Sequence, residues 1–229
     1  MKSAVITFPG SNCDRDVIKA LTRISGQAPA AVWHGDKNLP KVDLIVVPGG
    51  FSYGDYLRTG AIAAHSPIMQ AVKEQANKGV KVLGICNGFQ ILAESGLLPG
   101  VLLRNRGLKF ICRTVTVKVE ANDNPFTKKY KKDQVIRFPI AHGEGNYFAD
   151  PKVLDELESK NLIAFRYCDE KGQVIDSANP NGSSRGIAGI FNQKKNVLGL
   201  MPHPERVSDP YLEGVDGIPL FESLVESLS

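Results

Sequence analysis

The chain has 229 residues, of which 42% are hydrophobic and 23% are charged, so it has the ordinary make-up of a globular protein with a proper core. Its net charge of +4 is mild, and its densest basic run, KKYKKD, includes a single tyrosine, which argues against a nucleic-acid-binding protein. No apolar run reaches the roughly 18 residues of a membrane span, and no signal-peptide pattern is present. We therefore expect a cytoplasmic protein without membrane contact.

Residues 3–96 alternate short β-rich runs with stretches of helical periodicity. In chain order they predict strand SAVITFPG, helix DRDVIKALTRISG, strand VDLIVVPGG, helix SPIMQAVKEQANKG, strand KVLGIC and helix GFQILAESG. This alternation is typical of βαβ units, in which helices cover both faces of a parallel sheet. No linker, low-complexity tract or internal repeat divides the chain, so residues 1–229 are expected to form a single domain.

From about residue 100 the chain changes to longer β-rich stretches, several of which suggest antiparallel pairs. They are LKFICRTVTVKVE, QVIRFPIAHGEG, NLIAFRYCDEKGQVI and SRGIAGIFNQKKNVLGLMPHPER. The residues KKN at 194–196 predict a hairpin turn, and GIPLFESLVESLS predicts a last helix that packs one face on the core. The predicted fold class is α/β, with a mainly parallel sheet, flanking helices and some antiparallel extension.

The cysteines show no metal or disulfide pattern. They are Cys13, Cys86, Cys112 and Cys168. They form no CxxC pair, and no histidine lies at metal-ligand spacing along the chain from any of them. Disulfides and structural zinc are therefore not expected, and no metal ligands are predicted.

Cys86 stands where the strand KVLGIC meets the next predicted helix. The stretch GICNG has the shape of the nucleophile elbow GxSxG, with cysteine in place of serine. Glycines at 84 and 88 let the backbone pass close to its neighbours, and the N-terminus of the helix favours a thiolate. Cysteine is also among the most buried residue types, so this motif alone leaves Cys86 open between a packing residue and a nucleophile.

The segment LMPHPER offers a base and an orienting group for that thiol. His203 precedes Pro204, and a residue before proline is pushed towards an extended conformation. In an extended chain residues i and i+2 face the same way, which would let Glu205 fix the imidazole of His203. His142 and Glu144 have the same spacing, but the glycine between them does not hold them in register, so His203 is the favoured base.

The segment IVVPGGFSYGD predicts donors for a developing oxyanion, because it follows a buried strand as Cys86 does. Gly49 and Gly50 can adopt conformations that point an amide N–H into the site, and the N–H of Asn87 is the second candidate. The sequence contains neither GxxxxGK[ST] nor GxGxxG after a strand, so any ATP-dependent step is expected in another chain.

Three segments, GICNGFQ, PGGFSYGDYLR and LMPHPER, together resemble the class I (triad) glutamine amidotransferases. The GxCxGxQ and terminal HPE motifs of that family are matched residue for residue. FPGSNCDRD, LLRNRGLKFICR, PIAHGEG and NPNGS are similar to one branch of the family, the amidotransferase subunits of a purine-pathway synthetase. Arg185 and Gly186 depart from that branch, where more asparagine is expected.

The resemblance implies a flavodoxin-like fold and a glutaminase reaction. The implied catalytic residues are Cys86, His203 and Glu205, with the N–H groups of Gly50 and Asn87 on the oxyanion. The implied substrate-binding residues are Gln90, His142, Gly143 and Glu144. This chain would need no cofactor, and its ammonia would pass to a large synthetase subunit that uses ATP and Mg²⁺, with a small third subunit bridging the two.

The sequence leaves two alternatives open. One is a stand-alone cysteine hydrolase of the same fold. The other is a regulatory subunit that keeps the fold without the chemistry, and the intact Cys86, His203 and Glu205 argue against it.

Overall fold

The structure is a computed structural model that describes residues 1–211 and 214–228. The strands are β1 (Ser3–Thr7), β2 (Ala30–Trp33), β3 (Leu44–Val47), β4 (Lys81–Ile85), β5 (Val101–Leu103), β6 (Ile111–Val119), β7 (Val135–His142), β8 (Asn146–Phe148), β9 (Ile163–Tyr167), β10 (Ile187–Phe191) and β11 (Val197–Leu200). The helices are α1 (Asp14–Ser25), α2 (Ala61–Ala64), α3 (Pro67–Asn77), α4 (Asn87–Glu94), α5 (Pro151–Ser159) and α6 (Ile218–Ser227).

A mixed sheet of nine strands runs through the described part of the chain, in the order β2-β1-β3-β4-β11-β10-β9-β6-β7. The strands from β2 to β11 in this order are parallel to one another, and those from β10 to β7 continue the sheet in antiparallel fashion. A separate two-stranded sheet pairs β5 with β8. The predicted α/β fold class is confirmed, and the antiparallel extension supplies almost half of the main sheet.

The core follows from the apolar pattern of the central strands. Every residue of β3, Leu44–Val47, is buried, because helices cover both faces of this part of the sheet. Helix α1 buries Val17, Ala20 and Leu21 and packs on β1 and α6. No helix among residues 1–211 and 214–228 is long and apolar enough to cross a membrane.

Several elements differ from those that the sequence predicts. Helix α5 lies between two of the stretches interpreted as β-rich, in a segment for which no element was predicted, and Leu154 and Leu157 form its buried face after Pro151. Strand β2 and the small β5–β8 sheet were also not predicted. The hairpin at KKN is confirmed, since β10 and β11 are antiparallel and Lys195 adopts a φ of 50° in their turn.

One edge of the sheet gathers the segments that carry the sequence motifs. Parallel strands point their carboxyl ends to the same edge, and ligands bind in the crevice beyond it. The segments following β1, β3, β4 and β11 therefore meet there, and they carry Cys13, Gly50, Cys86 and His203 respectively.

Candidate active site

Cys86 occupies the turn between β4 and α4 in a backbone conformation that non-glycine residues rarely adopt. Its φ and ψ are 51° and −107°, and such conformations cost of order 1–3 kcal/mol and persist only where the surroundings hold them. A β-carbon on Gly88 would lie 1.8 Å from the carbonyl oxygen of Val47, and one on Gly84 would lie 2.8 Å from the Gly88 backbone. The turn therefore needs both glycines, and it leaves the Cys86 side chain with its Sγ 3.7 Å from the carbonyl oxygen of Ala141.

His203 and Glu205 form a buried pair. The Nδ1–H of His203 donates to Oε1 of Glu205 at 2.6 Å. The two residues are only 1% and 4% exposed. Nε2 of His203 and Oε2 of Glu205 are also buried, and neither has a hydrogen-bond partner among the described residues. The carboxylate thus orients the imidazole and leaves one ring nitrogen available for proton transfer.

The charges around His203 decide its protonation. Burial alone would lower the pKa of His203, but the carboxylate of Glu205 and the sulfurs of Cys86 and Cys13 together raise it well above its ordinary value. The imidazolium is therefore the favoured form at neutral pH. That form can give a proton to a leaving group.

The local geometry that joins His203 to Glu205 differs from the expected one. His203 is extended, with φ −107° and ψ 86°, as its position before a proline requires. Pro204–Val207 then forms a turn of 3-10 helix, so Glu205 is not in an extended chain. The two side chains meet because the turn folds Glu205 back beside His203, and the alternation expected for an extended strand is wrong.

Cys13 joins this group from the loop after β1. Nη2 of Arg206 donates to Sγ of Cys13 at 3.1 Å. Ligand atoms of Cys13, His203 and Glu205 lie within 4.8 Å of one another, and the spacing along the chain gives no sign of this. The three residues have donor types that zinc accepts. Nδ1 of His203 already bonds Glu205, so a metal ion would have to use Nε2, and the arrangement fits a proton-transfer pair better.

Gly50 lies where the loop after β3 crosses the loop after β1. Its φ is 154°, and a β-carbon there would lie 2.7 Å from the carbonyl oxygen of Gly10, so the crossing needs glycine. The N–H of Phe51 fixes it by donating to the same oxygen at 2.9 Å. No described carbonyl accepts a hydrogen bond from the N–H of Gly50. Asn87 is the first residue of α4, where a backbone N–H has no acceptor within the helix.

The side chains of Asn87 and Gln90 tie the start of α4 to two loops. Oδ1 of Asn87 accepts hydrogen bonds from the N–H and the hydroxyl of Ser52, at 3.2 and 2.5 Å. Its Nδ2 donates to Oε1 of Gln90 at 2.9 Å, and Nε2 of Gln90 donates to the carbonyl oxygen of Glu144 at 2.5 Å. Gln90 is 4% exposed. The network sets the distance between the loops after β3 and β7.

His142 is the last residue of β7, and its ring contacts the fully buried side chain of Asn105. Oδ1 of Asn105 lies 3.1 Å from Nδ1 of His142 and accepts from the N–H of Gly145 at 3.0 Å. Burial, and then the charge of His203, lower the pKa of His142 to about 4, so its ring is neutral at pH 7. His142 forms no ion pair with Glu144, whose carboxylate instead accepts from the hydroxyl of Thr59.

A cavity of about 140 Å³ opens beside Cys86. Its wall consists of Gly50, Phe51, Asp55, Thr59, Cys86, Gln90, Phe110, Ala141, His142, Gly143 and Glu144. The volume is below the roughly 300–1,000 Å³ of sites that take drug-sized ligands, so it suits a ligand of amino-acid size. A larger cavity of about 640 Å³ lies against Glu205 and Arg206 but is not lined by Cys86.

The structure thus brings the predicted site residues into one place. Cys86, Gly50, Gln90, His142, Gly143 and Glu144 line the cavity, while Asn87, His203 and Glu205 lie outside its wall. Sequence reasoning missed Cys13, Asp55, Thr59, Asn105 and Arg206. Positions just after predicted strands could have suggested Cys13 and Asp55, whereas Asn105 is marked only by its place in LLRNRGLKFICR, one of the segments that carry the family resemblance.

Comparison with known proteins gives a match along nearly the whole chain. Residues 1–215 match the family model described as a CobB/CobQ-like glutamine amidotransferase domain. A protein of Bradyrhizobium diazoefficiens is 57% identical over 229 residues, with 100% of this chain and 98% of that protein covered. One of Gloeobacter violaceus is 56% identical over 227 residues, with 99% and 98% covered. Both are named phosphoribosylformylglycinamidine synthase subunit PurQ.

Solved structures agree with this match. A chain in the structure of PurLQS from Thermotoga maritima is similar with a TM-score of 0.86 and 44% identity, covering 100% of this chain and 99% of that one. The glutaminase domain of Trypanosoma brucei CTPS with bound acivicin has a TM-score of 0.64 at 15% identity, covers 100% of this chain and 93% of its own, and shares the fold alone. The chain therefore belongs to the CobB/CobQ-like glutamine amidotransferase family.

Proposed function

We propose that this chain is the glutaminase subunit of phosphoribosylformylglycinamidine synthase. It hydrolyses glutamine to glutamate and ammonia, and the ammonia serves a synthetase subunit that converts formylglycinamide ribonucleotide to formylglycinamidine ribonucleotide in purine biosynthesis. The observation that carries the chemistry is the buried bond of 2.6 Å between His203 and Glu205, which leaves Nε2 of His203 without a hydrogen-bond partner. The sulfur of Cys86 is near enough to help raise the pKa of His203, which supports proton transfer between the two residues.

The first half of the reaction forms a thioester. The thiolate of Cys86 bonds to the side-chain amide carbon of glutamine, and the N–H groups of Gly50 and Asn87 stabilise the negative charge that develops on the amide oxygen. The carbon–nitrogen bond then breaks. The imidazolium of His203 gives its Nε2 proton to the departing nitrogen, which leaves as ammonia.

The second half restores the Cys86 thiolate and the His203 imidazolium. A water molecule adds to the thioester carbon, and the now neutral imidazole of His203 takes its proton. The carbon–sulfur bond breaks, the Cys86 sulfur departs, and glutamate is released. Glu205 stabilises the imidazolium through both halves, because its carboxylate stays hydrogen-bonded to Nδ1.

The remaining site residues bind and position the substrate. Gln90 lines the cavity and donates a hydrogen bond to the carbonyl oxygen of Glu144. It therefore limits how far the side chain of glutamine can extend past Cys86. His142, Gly143 and Glu144 form the opposite wall. The lowered pKa of His142 makes its ring a weak base, so His142 suits a wall residue better than a second base.

The chain works with a large synthetase subunit and a small bridging subunit. ATP and Mg²⁺ belong to the synthetase subunit, and the reaction takes place in the cytoplasm. Residues 1–229 form a single glutamine amidotransferase domain, and the one main sheet that runs from β2 to β7 supports this.

The test uses the chain reconstituted with its two partner subunits. Cys86→Ala is expected to abolish product formation from glutamine while leaving formation from added ammonium salt within about twofold of wild type. Cys112→Ala, which changes an exposed cysteine, is the matched control and is expected to keep both activities. Glutamine-dependent activity in Cys86→Ala, or equal loss in both variants, would contradict the assignment of Cys86.

A further inference from the structure

Asp55 lines the cavity beside Cys86, and no role described above uses it. Its Oδ1 is buried, yet no group among the described residues donates a hydrogen bond to it. Burying a polar atom without a partner costs about 1–3 kcal/mol, and more when the group is charged. An unpartnered oxygen in the wall of a substrate cavity therefore indicates a donor that arrives with the ligand.

The backbone around Asp55 is held in strained conformations. Tyr53, Asp55 and Leu57 all adopt positive φ, at 57°, 55° and 68°. The turn is anchored at Tyr53, whose N–H donates to the carbonyl oxygen of Pro9 at 2.7 Å and whose hydroxyl lies 2.6 Å from Nδ1 of His34. Strained residues held by their surroundings are found at functional sites.

Asp55 has a second carboxylate as its neighbour. Glu144 is already engaged, since it accepts from the hydroxyl of Thr59 and lies 3.7 Å from Nε of Arg104. Burial, and then the charge of Glu144, raise the pKa of Asp55 to about 6, so Asp55 is ionised at neutral pH but unneutralised. A cation between the two carboxylates would relieve their repulsion.

The charges in the cavity wall select one end of the substrate. Asp55 and Glu144 are the charged side chains in the wall, and the described wall contains no lysine or arginine. Glutamine carries an ammonium and a carboxylate at the end opposite to its amide. With the amide at Cys86, a wall that bears only negative charge matches the ammonium, which also brings three N–H donors.

We propose that Asp55 binds the α-ammonium group of glutamine, with Glu144 beside it, and so makes the site specific for an amino acid with a free α-amino group. This assignment rests on the proposed glutaminase function. The hydrogen bond is charge-assisted on both sides and partly shielded from water, so it is among the stronger kinds of polar contact. It also supplies the partner that Oδ1 lacks in the free protein.

The experiment compares glutamine with glutaramate, its analogue without the α-amino group, in the reconstituted complex. Asp55→Asn is expected to lower kcat/KM for glutamine at least about tenfold, and to change kcat/KM for glutaramate, or its inhibition constant, less than about threefold. Asp55→Glu is expected to recover part of the preference. Asp155→Asn removes an exposed carboxylate on α5 and is the control, expected to match wild type for both compounds.

The outcomes separate this assignment from the proposed function. If the wild-type complex does not hydrolyse glutamine, the proposed function itself fails. If the wild type is active and Asp55→Asn keeps its kcat/KM for glutamine, the assignment of Asp55 is overturned. Equal losses of kcat/KM for glutamine and glutaramate would also overturn it and would indicate that Asp55 shapes the loop. Weaker binding to the synthetase subunit, with unchanged kinetics at saturating partner, would overturn it as well and would indicate a partner contact.

Discussion

Replacing Gly88 with alanine tests the rigidity of the turn that presents Cys86. The new β-carbon would lie 1.8 Å from the carbonyl oxygen of Val47, and real β-carbons stay at least 3.0 Å from such an atom, so backbone would have to move by at least 1.2 Å. Both partners are backbone, in α4 and β3, so no side chain can turn aside. Overpacking of this kind costs about 1–3 kcal/mol, and the upper half of that range is expected here.

The same shift displaces Cys86, two residues away. Misplacement of a reacting group by about 1 Å can reduce the rate roughly 100-fold. Urea unfolding of the isolated chain followed by circular dichroism measures the first effect, and glutamine-dependent turnover of the reconstituted complex measures the second. Gly107→Ala is the matched control, because a β-carbon there meets no atom within 4 Å and it is expected to leave both quantities unchanged.

Ammonium-dependent turnover shows whether the Gly88→Ala complex is assembled. If Gly88→Ala unfolds at the same urea concentration as wild type and turns over glutamine at the same rate, the carbonyl of Val47 moves freely. The account of the turn as a rigid holder of Cys86 would then be wrong.

Two further substitutions test groups around the cavity. The pKa of His142 is lowered from 6.5 to about 4, so between these pH values the folded state binds fewer protons than the unfolded state. As the pH drops through that window, the free energy of unfolding of wild type should therefore fall by about 3 kcal/mol relative to that of His142→Gln. The raised pKa of Asp55 acts in the opposite direction but is present in both proteins, and equal pH slopes in urea titrations would refute the neutral ring. Asn105→Ala removes a fully buried side chain that bonds His142, Gly145 and the carbonyl oxygen of Lys109. This substitution should lower the free energy of unfolding by about 2–4 kcal/mol and raise KM for glutamine. Asn38→Ala changes an exposed side chain and is its control. An unchanged urea midpoint in Asn105→Ala would show that the loop after β7 is held by other contacts.

The sequence predicted well those features that depend on local pattern. Strands β1, β3 and β4 are short apolar runs between turn residues, and the turn at Cys86 needs glycines that stand beside it in the chain. Helix α5 was missed although its sequence carries a helical signal. Val153, Leu154 and Leu157 recur at helical spacing after Pro151, so this helix could have been predicted from local pattern.

Contacts between distant segments could not be predicted in the same way. Arg206 meets Cys13 across 193 residues, and Asn105 reaches His142 across 37. Their meeting depends on which strands lie side by side, and no local pattern encodes that. His203 and Glu205 show an intermediate case, since their pairing was expected from the spacing, whereas the 3-10 turn that achieves it was not.

The loop after β3 has two halves with different freedom to evolve. Up to Tyr53 its main chain is tied to the loop after β1 through the carbonyl oxygens of Pro9 and Gly10. Beyond that point Tyr56 and Leu57 are 74% and 91% exposed. Substitutions at Tyr56 and Leu57 can therefore change the exposed tip, while Gly50 and Asp55 keep their positions in the wall of the cavity. One short loop can thus follow two independent selective pressures.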